Sequence, residues 1–117
     1  MEQQPCIFCK IAQGDIPAKK VYEDEEVVAF HDIHPIAPVH LLLIPKKHIP
    51  SLAKIHEADA PLLGKMMALT GKLAYDAGAT HGFRLIVNTG TVGGQEVAHL
   101  HYHIIGGPEP LGRMLGK

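Results

Sequence analysis

Residues 99–105 read His99-Leu100-His101-Tyr102-His103-Ile104-Ile105, an imidazole alternating with an apolar side chain over the first six positions. Alternation with period two is the mark of a β-strand, whose successive side chains point to opposite faces. The run therefore commits the chain to a sheet with Leu100, Tyr102 and Ile104 in its core. It also sets His99, His101 and His103 in a row on the other face, roughly 6–7 Å apart. Histidine is a poor filler for an exposed strand, so a merely solvated face explains the row badly. Two chemical readings stay open. One is a metal site, although no carboxylate stands beside the row. The other is a nucleophilic histidine, whose neutral ring attacks phosphorus and splits one hard displacement into two through a covalent intermediate.

The remaining elements follow from punctuation and periodicity. Residues 20–23 and 27–31 are short β-branched or aromatic runs flanking the acidic turn Asp24-Glu25-Glu26, and they read as a hairpin. Pro35 and Pro38 break the chain before a buried strand over 40–45; further strands are expected at 83–88 and 97–105. One long helix is expected from Ala60 to Ala77, with Asp59 as N-cap, Pro61 in its first turn and Gly78 at C′. Its apolar stripe is Leu62, Met66, Leu69, Leu73 and Ala77, while Gly64 and Gly71 share a face where a close neighbour would explain them. A short helix over 6–13 ends at Gly14. Short links between strands favour antiparallel pairing, so the fold class is α+β, a five-stranded antiparallel sheet with one long and one short helix.

The chain is 117 residues long, which fits one domain over 1–117 with a Gly/Pro-rich tail from about residue 108. At 46% hydrophobic and 20% charged it can bury a core, which excludes wholesale disorder. The longest apolar stretch, Leu41-Leu42-Leu43-Ile44, is far short of the roughly 18 residues of a membrane span. A net charge of −1 without a basic run argues against nucleic-acid binding, which rests on neutralising phosphates. Met1-Glu2-Gln3-Gln4 lacks the basic start and apolar block of a signal peptide, which reads as a cytoplasmic chain. There the pair Cys6-Ile7-Phe8-Cys9 suggests a metal half-site or a redox pair before a structural disulfide. The redox reading needs a preceding strand, and only five residues precede Cys6. Two reduced cysteines packed as small hydrophobes are the plain alternative.

Just before the histidine run lies Thr89-Gly90-Thr91-Val92-Gly93-Gly94-Gln95. Glycines let backbone N–H groups approach an anion closely, and successive amides make an anion-binding nest. Gly93-Gly94 alone is an ordinary turn. Feeding directly into three aligned imidazoles, it points to phosphoryl or nucleotidyl chemistry that needs no Mg²⁺.

The run His99 to Ile105 resembles the His-φ-His-φ-His-φ-φ motif of the histidine triad (HIT) superfamily. Ala29-Phe30-His31-Asp32-Ile33, Ala37-Pro38-Val39-His40, Ile44-Pro45-Lys46-Lys47-His48 and the stretch from Asn88 through Gly94-Gln95-Glu96-Val97 are similar to its Hint branch, in the family's order, from about Phe8 to Gly107. The resemblance implies a hydrolase of purine nucleoside phosphoramidates that releases AMP or GMP, with no cofactor for catalysis. It implies His101 as nucleophile, His103 and His99 on the phosphoryl oxygens and leaving group, and His40 extending that network. Asp32 would hold the ribose hydroxyls, Ile33 would pack on the base, and Asn88 with the Gly94-Gln95-Glu96 backbone would cradle the phosphate. A homodimer with a ten-stranded sheet is implied too, the tail with Leu111, Met114 and Leu115 reaching the partner. So is a structural zinc on Cys6, Cys9, His48 and His99.

Without the resemblance, Asp32 reads equally as a turn cap and His40 as a structural histidine. His31, His34, His56 and His81 read as surface or loop residues. Many relatives carry Ser where Glu96 stands, and a carboxylate can donate a proton only when it is protonated. A dinucleoside polyphosphate hydrolase is the nearest alternative, though that branch lacks the Gly-Gly-Gln-Glu-Val run. A nucleotide- or zinc-binding regulatory protein with little turnover is the other.

Overall fold

Strand β3 (Val39–Pro45) is buried along its whole length, and it is the centre of the molecule. In the computed structural model, which describes residues 6–115, the sheet order is β1-β2-β3-β5-β4, every neighbouring pair antiparallel. The other strands are β1 (Lys20–Glu23), β2 (Val27–His31), β4 (Phe83–Ile86) and β5 (Tyr102–Gly106). Residues 1–5 and 116–117 lie outside the described residues, and with them the Met1–Gln4 stretch weighed for targeting and the tail's last two positions.

Each face of the sheet has its own helix and its own core. Helix α2 (Ala60–Asp76) lays Met66, Leu73 and Ala74 on a cluster formed with Val27, Leu41, Leu43, Leu100, Tyr102 and Ile104. The expected stripe is the face that packs, since Leu62, Leu69 and Ala77 border the same cluster. Helix α1 (Ile7–Gln13) covers the opposite face, where Phe8 and Ile11 meet Val28, Phe30, Leu42 and Ile44. No helix among the described residues is long and apolar enough to cross a membrane.

Local chemistry explains the joints. The Cys6 Sγ accepts the Cys9 N–H and caps α1. Asp24 closes the β1–β2 turn by accepting the Glu26 and Val27 N–H groups at 2.8 and 3.0 Å. Lys65 of α2 then clamps that turn through Asp24 and Glu26. Burial raises the Asp24 carboxyl, but Lys65, the two turn amides and the Tyr22 hydroxyl outweigh it and hold the group far below the carboxylate range. Gly106 of β5 faces the turn after α2. A Cβ there would stand 2.6 Å from that of Ala79, so only glycine lets β5 pass beneath.

Five expectations need correction. The strand over 97–105 begins only at Tyr102. Continuing the ladder would pair residue 100 with Pro45, which has no N–H to give, and Leu100 N–H goes instead to the Ile49 carbonyl. Strand β4 stops at Ile86 rather than Asn88, and β3 starts at Val39. Asp59 does not cap α2 with its side chain. It ends a 3₁₀ turn, Glu57–Asp59, and its carboxylate accepts the His56 N–H and the Lys47 ammonium. Finally, a Cβ on Gly64 or Gly71 would meet nothing within 4 Å among the described residues, so packing among them does not explain either glycine.

Candidate active site

Between α1 and the sheet lies a cavity of about 510 Å³. Its walls combine apolar side chains, Ile7, Phe8, Ile11 and Phe30 among them, with the polar His40, His101, His103, Asn88, Glu96 and Asp32 and with Gly94. Sequence reasoning missed the α1 side of this cavity. Its signal was present, since Ile7 and Ile11 stand four apart on a helix that already buries Phe8. His31, His34 and Ile36, read as surface or left unassigned, also border it. Ile33 borders it too, but 85% exposed, as a rim residue.

Hydrogen bonds fix which nitrogen of each ring carries a proton, because a carbonyl can only accept and a backbone N–H can only donate. His101 Nδ1–H donates to the His99 carbonyl at 2.7 Å, leaving Nε2 with its lone pair. That ring is buried, set edge-on to Phe8 with centroids 5.1 Å apart, and lies 4.9 Å from His103. His40 Nδ1 accepts the Ile36 N–H at 3.2 Å, so in the neutral ring its proton is on Nε2, 3.0 Å from His103 Nδ1. Burial lowers the His40 pKa against the opposing pull of Asp32. His103 is pushed down to about 4, by burial first and then by His101 and His40. Both rings are therefore neutral near pH 7.

His99 stands apart from this group. It is fully buried, does not border the cavity, and both its nitrogens are engaged. Nε2–H donates to the Pro45 carbonyl at 2.8 Å. The Nδ1 lone pair meets Cys6 Sγ at 3.2 Å, Cys9 Sγ at 3.5 Å and His48 Nδ1 at 3.1 Å. Its link to the cavity is its backbone carbonyl, which sets the His101 tautomer. Phe8 packs edge-on against both His99 and His101, so the row keeps to one side of the chain as expected, but only His101 and His103 line the cavity.

Two side-chain clusters bring together donors of the kind that hold metals: Cys6, Cys9, His48 and His99, and Asp32, His40 and His103. The first fits a tetrahedral ion. Two thiols and two imidazoles are a zinc donor set, and bonds of about 2.0–2.3 Å imply donor separations of roughly 3.3–3.8 Å, close to those found. Burial, then Cys6, pushes the Cys9 thiol up to about 11, the penalty that a bound cation reverses. The second cluster fits poorly, because the neutral His40 ring carries its proton on the very nitrogen that would have to coordinate.

The glycine loop forms one helical turn, α3 (Gly90–Gly93), capped by Gly94 at φ +81°. The Gly94 and Gln95 amides are committed to the Thr91 and Gly90 carbonyls. The Gln95 side chain staples the turn, accepting the Gly90 N–H and donating to the Pro50 and Val97 carbonyls. Gln95 thus shapes the turn that brings Gly94 to the cavity without bordering the cavity itself.

A family model for the HIT domain matches residues 13–109. Protein HitA of Neisseria gonorrhoeae is 58% identical over 103 residues, covering 88% of this chain and 96% of that one. Among solved structures, a HIT family hydrolase from Legionella pneumophila Philadelphia 1 is 48% identical with a TM-score of 0.86, covering 90% of this chain and 95% of that chain. A histidine triad protein from Clostridium difficile is 46% identical with a TM-score of 0.87, covering 97% and 99%. The two cavity-facing histidines, the stapled glycine turn and the five-stranded sheet sit within the matched span, and the chain belongs to the HIT domain family.

Proposed function

We propose that the protein hydrolyses purine nucleoside 5′-phosphoramidates, breaking the P–N bond and releasing AMP or GMP. The observation that carries this reading is the tautomer of His101, whose neutral ring presents an unprotonated Nε2 to a cavity lined both by apolar side chains and by Gly94 of the glycine turn. Likeness to HIT family hydrolases supports hydrolysis as the class of reaction.

In this reading the base lies in a slot beside Phe8 and Phe30, and Asp32 accepts the ribose hydroxyls. His101 Nε2 attacks phosphorus. The P–N bond breaks, its electron pair stays on the nitrogen, and the amine departs with a proton from solvent water while the neutral His103 ring donates its Nε2–H as a hydrogen bond to a phosphoryl oxygen. Water then attacks the nucleotidyl-imidazole, giving its hydroxyl to phosphorus and a proton to solvent, and His101 is regenerated. Asn88 and the amides beyond the glycine turn hold phosphoryl oxygens. Incubation with adenosine 5′-phosphoramidate and a panel of AMP amides with varied leaving groups is expected to release AMP in each case. No AMP from any member would overturn the assignment.

The Cys6, Cys9, His48 and His99 cluster is proposed to hold a structural zinc. With four protein donors no position is left for water, so the ion would stabilise the fold rather than take part in the reaction. The two free thiols suit a reducing, cytoplasmic setting.

A homodimer is proposed as well. Gly64, Ala68, Gly71 and Tyr75 line one outward face of α2, Tyr75 at 62% exposure, and β4 closes the sheet with an edge that pairs with no strand among the described residues. A second copy joined edge to edge would give ten strands and cover the glycines that this chain leaves open. Light scattering is expected to give twice the 12.7 kDa chain mass at micromolar concentration; the single-chain mass would remove this part of the proposal.

A further inference from the structure

One proton in the cavity has two claimants. His40 Nδ1 is occupied by the Ile36 N–H, so the neutral ring has a single proton, on Nε2. His103 Nδ1 lies 3.0 Å from that nitrogen and Asp32 Oδ2 lies 3.4 Å from it. The other Asp32 oxygen is already held by the His34 N–H at 2.8 Å, which turns Oδ2 toward His40. Backbone pairing makes the arrangement rigid. Asp32 N–H donates to the His40 carbonyl, and β3 and β5 are in register across Leu42 and His103.

The two claimants differ in strength and in consequence. A carboxylate is a charged acceptor, and hydrogen bonds to charged groups are roughly twice as strong as neutral ones. When Asp32 draws the His40 proton, His103 Nδ1 loses its donor and is free to carry its own proton. Its Nε2 then shows the substrate a lone pair, which repels a phosphoryl oxygen. When the His40 proton points at His103, Nδ1 must accept and Nε2–H becomes a donor. Since burial keeps both rings neutral, the choice is between tautomers rather than charge states.

We propose that Asp32 is a positioning residue for His103, acting through His40: ribose hydroxyls bound to Asp32 release the His40 Nε2–H to His103 and lock His103 in its Nε2–H form. The inference rests on the nucleotide reading given above. It makes the sugar a signal as well as a handle, because a ligand lacking the hydroxyls occupies the cavity without setting the hydrogen-bond donor.

The test reads ring nitrogens directly. In ¹⁵N-labelled protein, the His103 nitrogen shifts are compared with no ligand, with saturating AMP and with saturating 2′,3′-dideoxy-AMP, and then in Asp32→Asn with and without AMP. The expected result is that AMP moves His103 to the Nε2–H tautomer in the native protein and dideoxy-AMP does not, while Asp32→Asn gives one tautomer whether or not AMP is bound. In turnover, the dideoxy sugar should lower native kcat by at least about tenfold, the loss of a correctly placed hydrogen-bond donor, and leave Asp32→Asn kcat unchanged. The same His103 tautomer in free and AMP-bound native protein, with the sugar altering KM alone, would overturn the inference. A native protein inactive on every phosphoramidate would remove the proposed function, while the nitrogen shifts would still decide this one.

Discussion

His101→Ala is expected to bind AMP nearly as the native protein does and to lose on the order of 10³-fold or more in turnover. Covalent catalysis has no partial substitute when its nucleophile is deleted, whereas the other residues proposed to hold the nucleotide, Asp32 among them, stay in place. Calorimetric binding of AMP beside single-turnover AMP release separates the two quantities. His101→Gly with added imidazole should recover part of the rate, since a free ring can enter the space and attack from it. Turnover within about tenfold of native in His101→Ala would take the nucleophile's role from this residue. Asn88 or Glu96 variants do not offer so clean a reading, because each changes contacts and charge together.

Zinc should accompany the protein as purified without an affinity tag, at about one ion per chain by elemental analysis. Cys6→Ser/Cys9→Ser is expected to lose it and to melt about 10 °C lower or more, since metal-binding energy at a closed site is folding energy. Structure near the ion should respond first. Helix α1 and its N-cap Cys6 carry two of the four donors, and the helix has only Phe8 and Ile11 buried in the core beneath it. Loss of AMP affinity is expected to accompany loss of the metal, because the base slot is walled by that helix. Metal-free protein that takes up none when offered zinc, with an unchanged melting temperature, would defeat the assignment and leave the hydrolase proposal standing.

The fold was legible where a pattern had only one way to be satisfied. Leu100, Tyr102 and Ile104 reach the core because they alternate with the three imidazoles, and Leu62 through Ala77 fall on one stripe because the helical period leaves no other face. The site was legible as a list of residues and less so as an arrangement. Alternation puts His99, His101 and His103 on one side, and Phe8 does pack on both His99 and His101, but alternation does not say which rings line a cavity. What keeps His99 off the cavity wall is its engagement with the thiol cluster and a bond to the Pro45 carbonyl, fifty-four residues earlier in the chain, and local pattern carries no information about such partners. The α1 wall was missed for a related reason. A seven-residue apolar helix looks the same whether it covers a core or borders a cavity.

That wall has a consequence for how base preference changes. Helix α1 is seven residues, anchored at its start by the cysteine–imidazole cluster and ended at Gly14, and it contributes no strand, no backbone ladder and no cavity-facing histidine. Under the proposed reading, the part that selects the base is a short helix distinct from the strands that hold the reacting nitrogens. Exchanging half-exposed Ile7 would resize the slot from outside the core, whereas Ile11 packs on Leu42 and Ile44 of β3. Phe8 is seated on the His101 ring itself, and it marks the boundary beyond which altering recognition also alters chemistry.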